Sequence, residues 1–295
     1  MKSAICNIFV AIAMLCCLTL SASAQRQAPA GDSKVATPRT ADGHPDLSGL
    51  WNGGNGGGGG GAPEEPGDPN SFQPSVFAAR HTEGLTGAAA LINFERDNTI
   101  LRRMNGNKPP YKPQYWDTVK KLDQNGNTED PAGNCMPPGV PRVGPPAQIS
   151  QTPNQLIFLY VAGGAAAFPA TYRVIPTDGR KHTPLDDLDG TLNGESIGHW
   201  EGDTMVVDTI GFGSSTWLDI EGYIHSENMH VVERFTRNGN TLTLQTTVED
   251  PDMFLKPWVM TPRVVRLNPD PLAVIPETPP CSERDYAHAV TKEHH

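Results

Sequence analysis

The side chains able to do chemistry crowd into one stretch, Glu195 to Trp258. His199, Asp203, Asp208, Asp219, His225, Glu227, His230, Glu233, Arg234 and Asp250 all fall there, with Trp200, Trp217 and Trp258. Imidazoles titrate near neutrality, and a carboxylate beside one can orient it or take its proton. Carboxylates and imidazoles on a stiff sheet suit proton transfer, and they equally suit a polar-rimmed ligand pocket. Trp200, Trp217, Trp258 and Tyr223, with His199, would supply flat walls for an aromatic or sugar ring. The same tryptophans also fit an ordinary core.

Alternation assigns faces. In Thr241 to Asp250, Leu242, Leu244, Thr246 and Val248 share the apolar face. In Met229 to Arg237 the more apolar set is Met229, Val231, Glu233 and Phe235, which puts Glu233 inside. A buried carboxylate needs either a partner or a raised pKa. Glu233 is therefore read in two ways, as a general acid or as half of a structural bridge to an arginine. The candidate catalytic set is His225 or His230 as acid or base, Glu233 or Asp219 as its orienter, and Arg234 as anion stabiliser.

Other chemistries find less support. His225, His230 and Glu233 have the spacing H-x4-H-x2-E, but residues five apart on a strand face opposite ways, so no metal is expected. The acidic run Asp186-Asp187-Leu188-Asp189-Gly190 lacks the twelve-residue calcium-loop pattern. The glycine run at 56–61 has no helix signal after it to make a phosphate loop and no GxxxxGK[ST] occurs, so no cofactor is expected. Serines near histidines, such as Ser226, are weak grounds for a triad.

The elements that must hold these residues read as strands. Gln155–Val161, Ala170–Pro176, Gly198–Trp200, Thr204–Ile210, Met229–Arg237, Thr241–Glu249 and Arg263–Leu267 have strand length and β-branched or aromatic content. Three are entered through the polar turns TPN, EGD and NGN, which predicts successive hairpins. The expected fold is mostly β, an antiparallel meander closing into a lipocalin-like barrel or half-barrel, with a two-sheet β-sandwich as the alternative. Short N-terminal helices are expected over Ala88–Arg103 and Pro113–Leu122. Asp130 to Pro146, with its many prolines, reads as an extended loop.

The N-terminus sets the compartment. Lys2, the apolar run Ile5 to Leu20 and Ser21-Ala22-Ser23-Ala24 form a cleavable export signal over 1–24. Its apolar core is shorter than the roughly 20 residues of a membrane span, so no membrane insertion follows cleavage. Residues 25–75 are polar and Gly/Pro-rich, with the flexible run Asn52 to Gly61, and HPDLSGLW (His44 to Trp51) docks as an edge strand or plug. Residues 76–295 make a single β-rich domain. Cleavage removes Cys6, Cys16 and Cys17, and leaves Cys135 and Cys281 as one expected disulfide in a periplasmic or secreted protein. Losing Lys2 takes the formal charge from −10 to −11, which argues against nucleic-acid partners.

The segments HPDLSGLW, CxPPGxPR, SIGxWEGDTxVVDTxGF, HSExxHVxERFxR and EDPxxxxKPW stand here as His44 to Trp51, Cys135 to Arg142, Ser196 to Phe212, His225 to Arg237 and Glu249 to Trp258. Together they resemble an exported bacterial protein family. The resemblance spans most of the mature chain and transfers no reaction. The expectation is an exported enzyme of cofactor-independent acid–base type, a lyase, isomerase or hydrolase, acting on a small phenolic or glycosidic molecule. The competing expectation is a non-catalytic periplasmic ligand-binding protein.

Overall fold

Period-two alternation, punctuated by tight polar turns, dictates this chain's architecture. The computed structural model describes residues 35–52, 107–125, 129–161, 171–219 and 221–275. The leader expected over 1–24, the glycine run from 53 on, the helix expected over Ala88–Arg103, and Cys281 lie outside them.

The strands are β1 (Gly49–Asn52), β2 (Gln148–Thr152), β3 (Gln155–Tyr160), β4 (Thr171–Pro176), β5 (Glu195–Glu201), β6 (Thr204–Ile210), β7 (His230–Asn238), β8 (Thr241–Glu249), β9 (Trp258–Val259) and β10 (Arg263–Leu267). Pro153-Asn154, Gly202-Asp203 and Gly239-Asn240 make the two-residue turns of three hairpins, and both of those glycines have positive φ, 60° and 58°. Among the described residues the one α-helix, α1 (Trp116–Gln124), follows a 3-10 turn at Pro113–Tyr115.

Among the described residues the paired strands are all antiparallel, in the order β4-β3-β2-β1-β10-β8-β7-β6-β5, with β9 added on β8. The result is a nearly closed, mostly β barrel. Nine strands alternating along that path leave β4 and β5 running the same way. Parallel neighbours cannot be joined by a hairpin and need a long crossover. Residues 177–194 are that crossover, and β4 lies beside β5 with no hydrogen-bonded ladder between them. At this seam Gly198 comes so close to Ile175 and Thr177 that a Cβ would sit 3.1 Å from each.

HPDLSGLW is not at an edge. β1 pairs with both β2 and β10, and Leu47 and Trp51 are buried. The edge reading failed because the glycines and prolines around this segment hide how much of it is core.

Inward side chains fill the barrel: Trp51, Ile149, Leu156, Phe158, Ile175, Met205, Val207, Val231, Phe235, Leu244 and Val265 are all buried. One end is closed by Arg237, whose guanidinium lies 5.1 Å over the Trp51 ring and donates to the carbonyls of Asp46 and Gly239. The other end is capped by Tyr111, Phe254, Tyr223 and Trp258, packed edge to face.

Candidate functional site

Strand parity divides the polar residues of β5 to β8 between two faces. Ser196, Thr209 and Glu233 point inward, while Glu195, Asp208, His230, Arg234 and Glu249 point outward.

Inside, Arg173 of β4 reaches across the seam. It donates to Glu233 at 2.6 Å, Ser196 at 2.8 Å, Thr209 at 3.0 Å and Tyr160 Oη at 3.1 Å. The Arg173 and Glu233 side chains are 2% and 1% exposed. Burial works against the Arg173 charge, but Glu233 and Tyr160 more than offset it and hold its pKa above the ordinary arginine value. One arginine thus ties β4 to β5, β6 and β7, with which β4 has no ladder, and also bonds Tyr160 on its ladder partner β3. Glu233 is engaged in that bridge and faces away from His230.

Outside, acids and imidazoles alternate in a row across four strands. His182, from the crossover, sets Nδ1 3.1 Å from Glu195 Oε1 and Nε2 2.8 Å from Asp208 Oδ1. His230 sets Nε2 2.9 Å from the other oxygen of Asp208 and Nδ1 3.4 Å from Glu249, its direct cross-strand partner. The Thr183 amide donates to Glu195 at 2.9 Å. The His230 side chain is 31% exposed and His182 16%. The hydrogen bond with Asp208 is the main cause that raises the His230 pKa above its usual value, against burial. Burial pushes Asp208 upward, and the bonds from His230 and His182 outweigh it, leaving its pKa below the usual aspartate value. Further along the same face Arg234 donates to Glu201 at 2.6 Å, and His199 lies 3.3 Å from that carboxylate.

His225 is elsewhere. It is 2% exposed in the capping layer, edge-on to Phe212. Its Nδ1 lies 2.9 Å from the Ser226 carbonyl, which can only accept, so Nδ1 carries the proton. Nε2 therefore accepts from the Thr216 hydroxyl at 2.8 Å. Burial is the main cause that holds the His225 pKa below the usual histidine value. Asp250 accepts from Ser226 N and Oγ at 2.7 and 2.8 Å, fixing the turn beside it.

The named candidates thus separate into groups. His230 and Arg234 share the outer face; Glu233 lies inside; His225, Trp217, Tyr223 and Trp258 belong to the capping end, next to the Asp219 loop. Trp200 stacks flat on His44 at 4.6 Å, away from the row. A cleft of about 290 Å³ opens beside α1, lined by Trp116, Val119, Lys120, Lys108, Glu221 and Tyr223. Among the described residues no group of three or more His, Cys, Asp or Glu side chains is arranged to hold a metal ion.

Sequence reasoning missed His182 and Arg173. His182 sits in a Pro/Asp-rich connection with no period to point at the sheet. Arg173 does carry a signal, since it alternates with the outward Tyr172 and Val174 and so shares its face with buried Ile175. No family model, curated protein or solved structure matches this chain.

Proposed function

We propose that this chain is an exported small-molecule enzyme that carries out cofactor-independent proton transfer, with His230 as general acid–base and Asp208 as its orienting carboxylate. The observation that carries the reading is the 2.9 Å contact between His230 Nε2 and Asp208 in a side chain still 31% exposed. An imidazole fixed by a carboxylate and open to a reactant is what general acid–base catalysis requires. Glu249 faces the other ring nitrogen at 3.4 Å, so a proton leaving His230 has a carboxylate acceptor on either side, Asp208 or Glu249. Arg234 stands four residues on along the same face, about 13 Å away by strand rise. It would hold an anionic group remote from the reacting atoms.

The reaction classes that fit are lyase, isomerase and hydrolase, and the substrate class is phenolic or glycosidic. Export rests on the leader over 1–24, and a Cys135–Cys281 disulfide fits an oxidising compartment. A binding-only protein is the second reading. The cleft beside α1 favours it, because its Trp116 and Tyr223 rings stand apart from the histidine row.

The test is turnover of a panel of 4-nitrophenyl glycosides and free phenolic acids, followed by absorbance and mass spectrometry. The proposal expects at least one to be turned over, with His230→Gln lowering kcat about 10²–10⁴-fold and leaving KM nearly unchanged. Turnover indifferent to His230→Gln, or stoichiometric binding with no turnover, overturns it.

A further inference from the structure

The crossover 177–194 exists because an odd number of strands leaves β4 and β5 parallel. Its two halves are held very differently. The second half is fastened by backbone: Thr191 N donates to Gly211 O at 3.1 Å, Gly213 N to Thr191 O at 3.0 Å, and Val140 N to Leu192 O at 3.3 Å. Leu188 packs against Gly211, where a Cβ would come within 2.8 Å of it. In the first half, 178–187, every residue is exposed except His182 and Thr183. The backbone bonds there are local, Asp187 N to Pro184 O at 2.9 Å among them, and Arg180 turns back on Asp178 at 2.6 Å. What fastens this half to the sheet is His182 between Glu195 and Asp208, with the Thr183 amide on Glu195.

An ionised carboxylate only accepts, and a neutral imidazole has a single N–H. His182 meets Glu195 with one nitrogen and Asp208 with the other, so only the imidazolium satisfies both contacts. Removing its proton turns one of them into a lone pair facing a carboxylate. We propose that His182 is a pH-sensitive latch: its imidazolium pins 178–187 to Glu195 and Asp208 on the outer face at acid pH, and loss of that proton frees the segment and withdraws His182 from Asp208.

The groups facing the latch agree. β5 presents Glu195, β6 presents Asp208, β7 reaches it as His230 through Asp208, and β8 as Glu249 through His230. Hydrogen bonds from Thr183 and His182 outweigh burial at Glu195 and hold its pKa below the usual range, so it stays an acceptor across neutral pH. On the crossover itself Arg180 interacts favourably with Glu195. The inference rests on hydrogen-bond counting and does not depend on the proton-transfer reading.

The test is amide hydrogen exchange of the full chain, without substrate, from about pH 5.5 to about 8.5, corrected for the intrinsic rate. Protection of peptides covering 178–187 should fall with rising pH. Beyond the midpoint of the fall the slope should be about tenfold per pH unit, that of a one-proton equilibrium. The β6–β7 ladder should stay protected throughout. His182→Gln should show the open level at every pH, and His230→Gln, which removes the proposed catalytic imidazole, should keep the pH response. A flat wild-type profile, or an unchanged profile in His182→Gln, overturns the latch. Because no substrate is present, that result leaves the proton-transfer reading standing.

Discussion

Glu233→Gln should be the most damaging conservative change in the barrel. It keeps the shape but removes the charge opposite Arg173, whose guanidinium is 2% exposed and crosses the seam that has no ladder. Breaking a buried pair by removing one partner costs about 3–5 kcal/mol, because the remaining charge is left uncompensated. At about 2–4 °C per kcal/mol for a domain of this size, the melting midpoint should drop by about 6–20 °C. Arg173→Met should cost a similar amount at neutral pH. Its cost should shrink as pH falls, because the orphaned Glu233 carboxyl can then enter the barrel protonated. Ser196 and Thr209 still bond each other at 3.1 Å, so their loss of Arg173 adds little. The double variant Arg173→Met/Glu233→Leu should recover most of the loss, since apolar replacement of a buried pair is often near neutral. Urea unfolding of the four proteins at two pH values measures the cycle. A Glu233→Gln cost under about 1 kcal/mol, or a double variant as damaged as the two singles together, would refute the reasoning.

Much of the fold was readable because its strands alternate cleanly. Thr204–Ile210, Thr241–Glu249 and Arg263–Leu267 have the bounds that their β-branched content and turns predict. β5 runs from Glu195, longer than its sequence signal, because Gly198 and the polar residues around it dilute the pattern. β1 and β2 are short and rich in Gly, Ser and Gln, so their place depends on neighbours and not on propensity. The site was half readable. Parity put Glu233 inside and His230 outside, but the partners that decide their chemistry, Arg173 and His182, come from β4 and the crossover. Contacts between segments so far apart follow from closing the barrel, which no local period encodes.

Two further outcomes are expected. Thr216→Val leaves the buried Nε2 of His225 without a donor, which should lower stability by about 1–3 kcal/mol in chemical denaturation while leaving the His230 titration unchanged. The proposed Cys135–Cys281 bond should appear as an intact cross-link in non-reducing peptide mass mapping, and reduction should remove on the order of 4 kcal/mol in the chain-entropy picture.

The most direct test of the central claim is the titration of His230 itself, followed by nitrogen-15 resonances of the imidazole ring. Its raised pKa predicts a midpoint above the ordinary value of about 6.5 in the wild type and a fall in Asp208→Asn. The linked stability has the matching sign. It is fully present below the unfolded histidine pKa and is lost as pH rises through the higher folded one. A midpoint at or below about 6.5, unmoved by Asp208→Asn, would contradict a carboxylate-poised imidazole at this site.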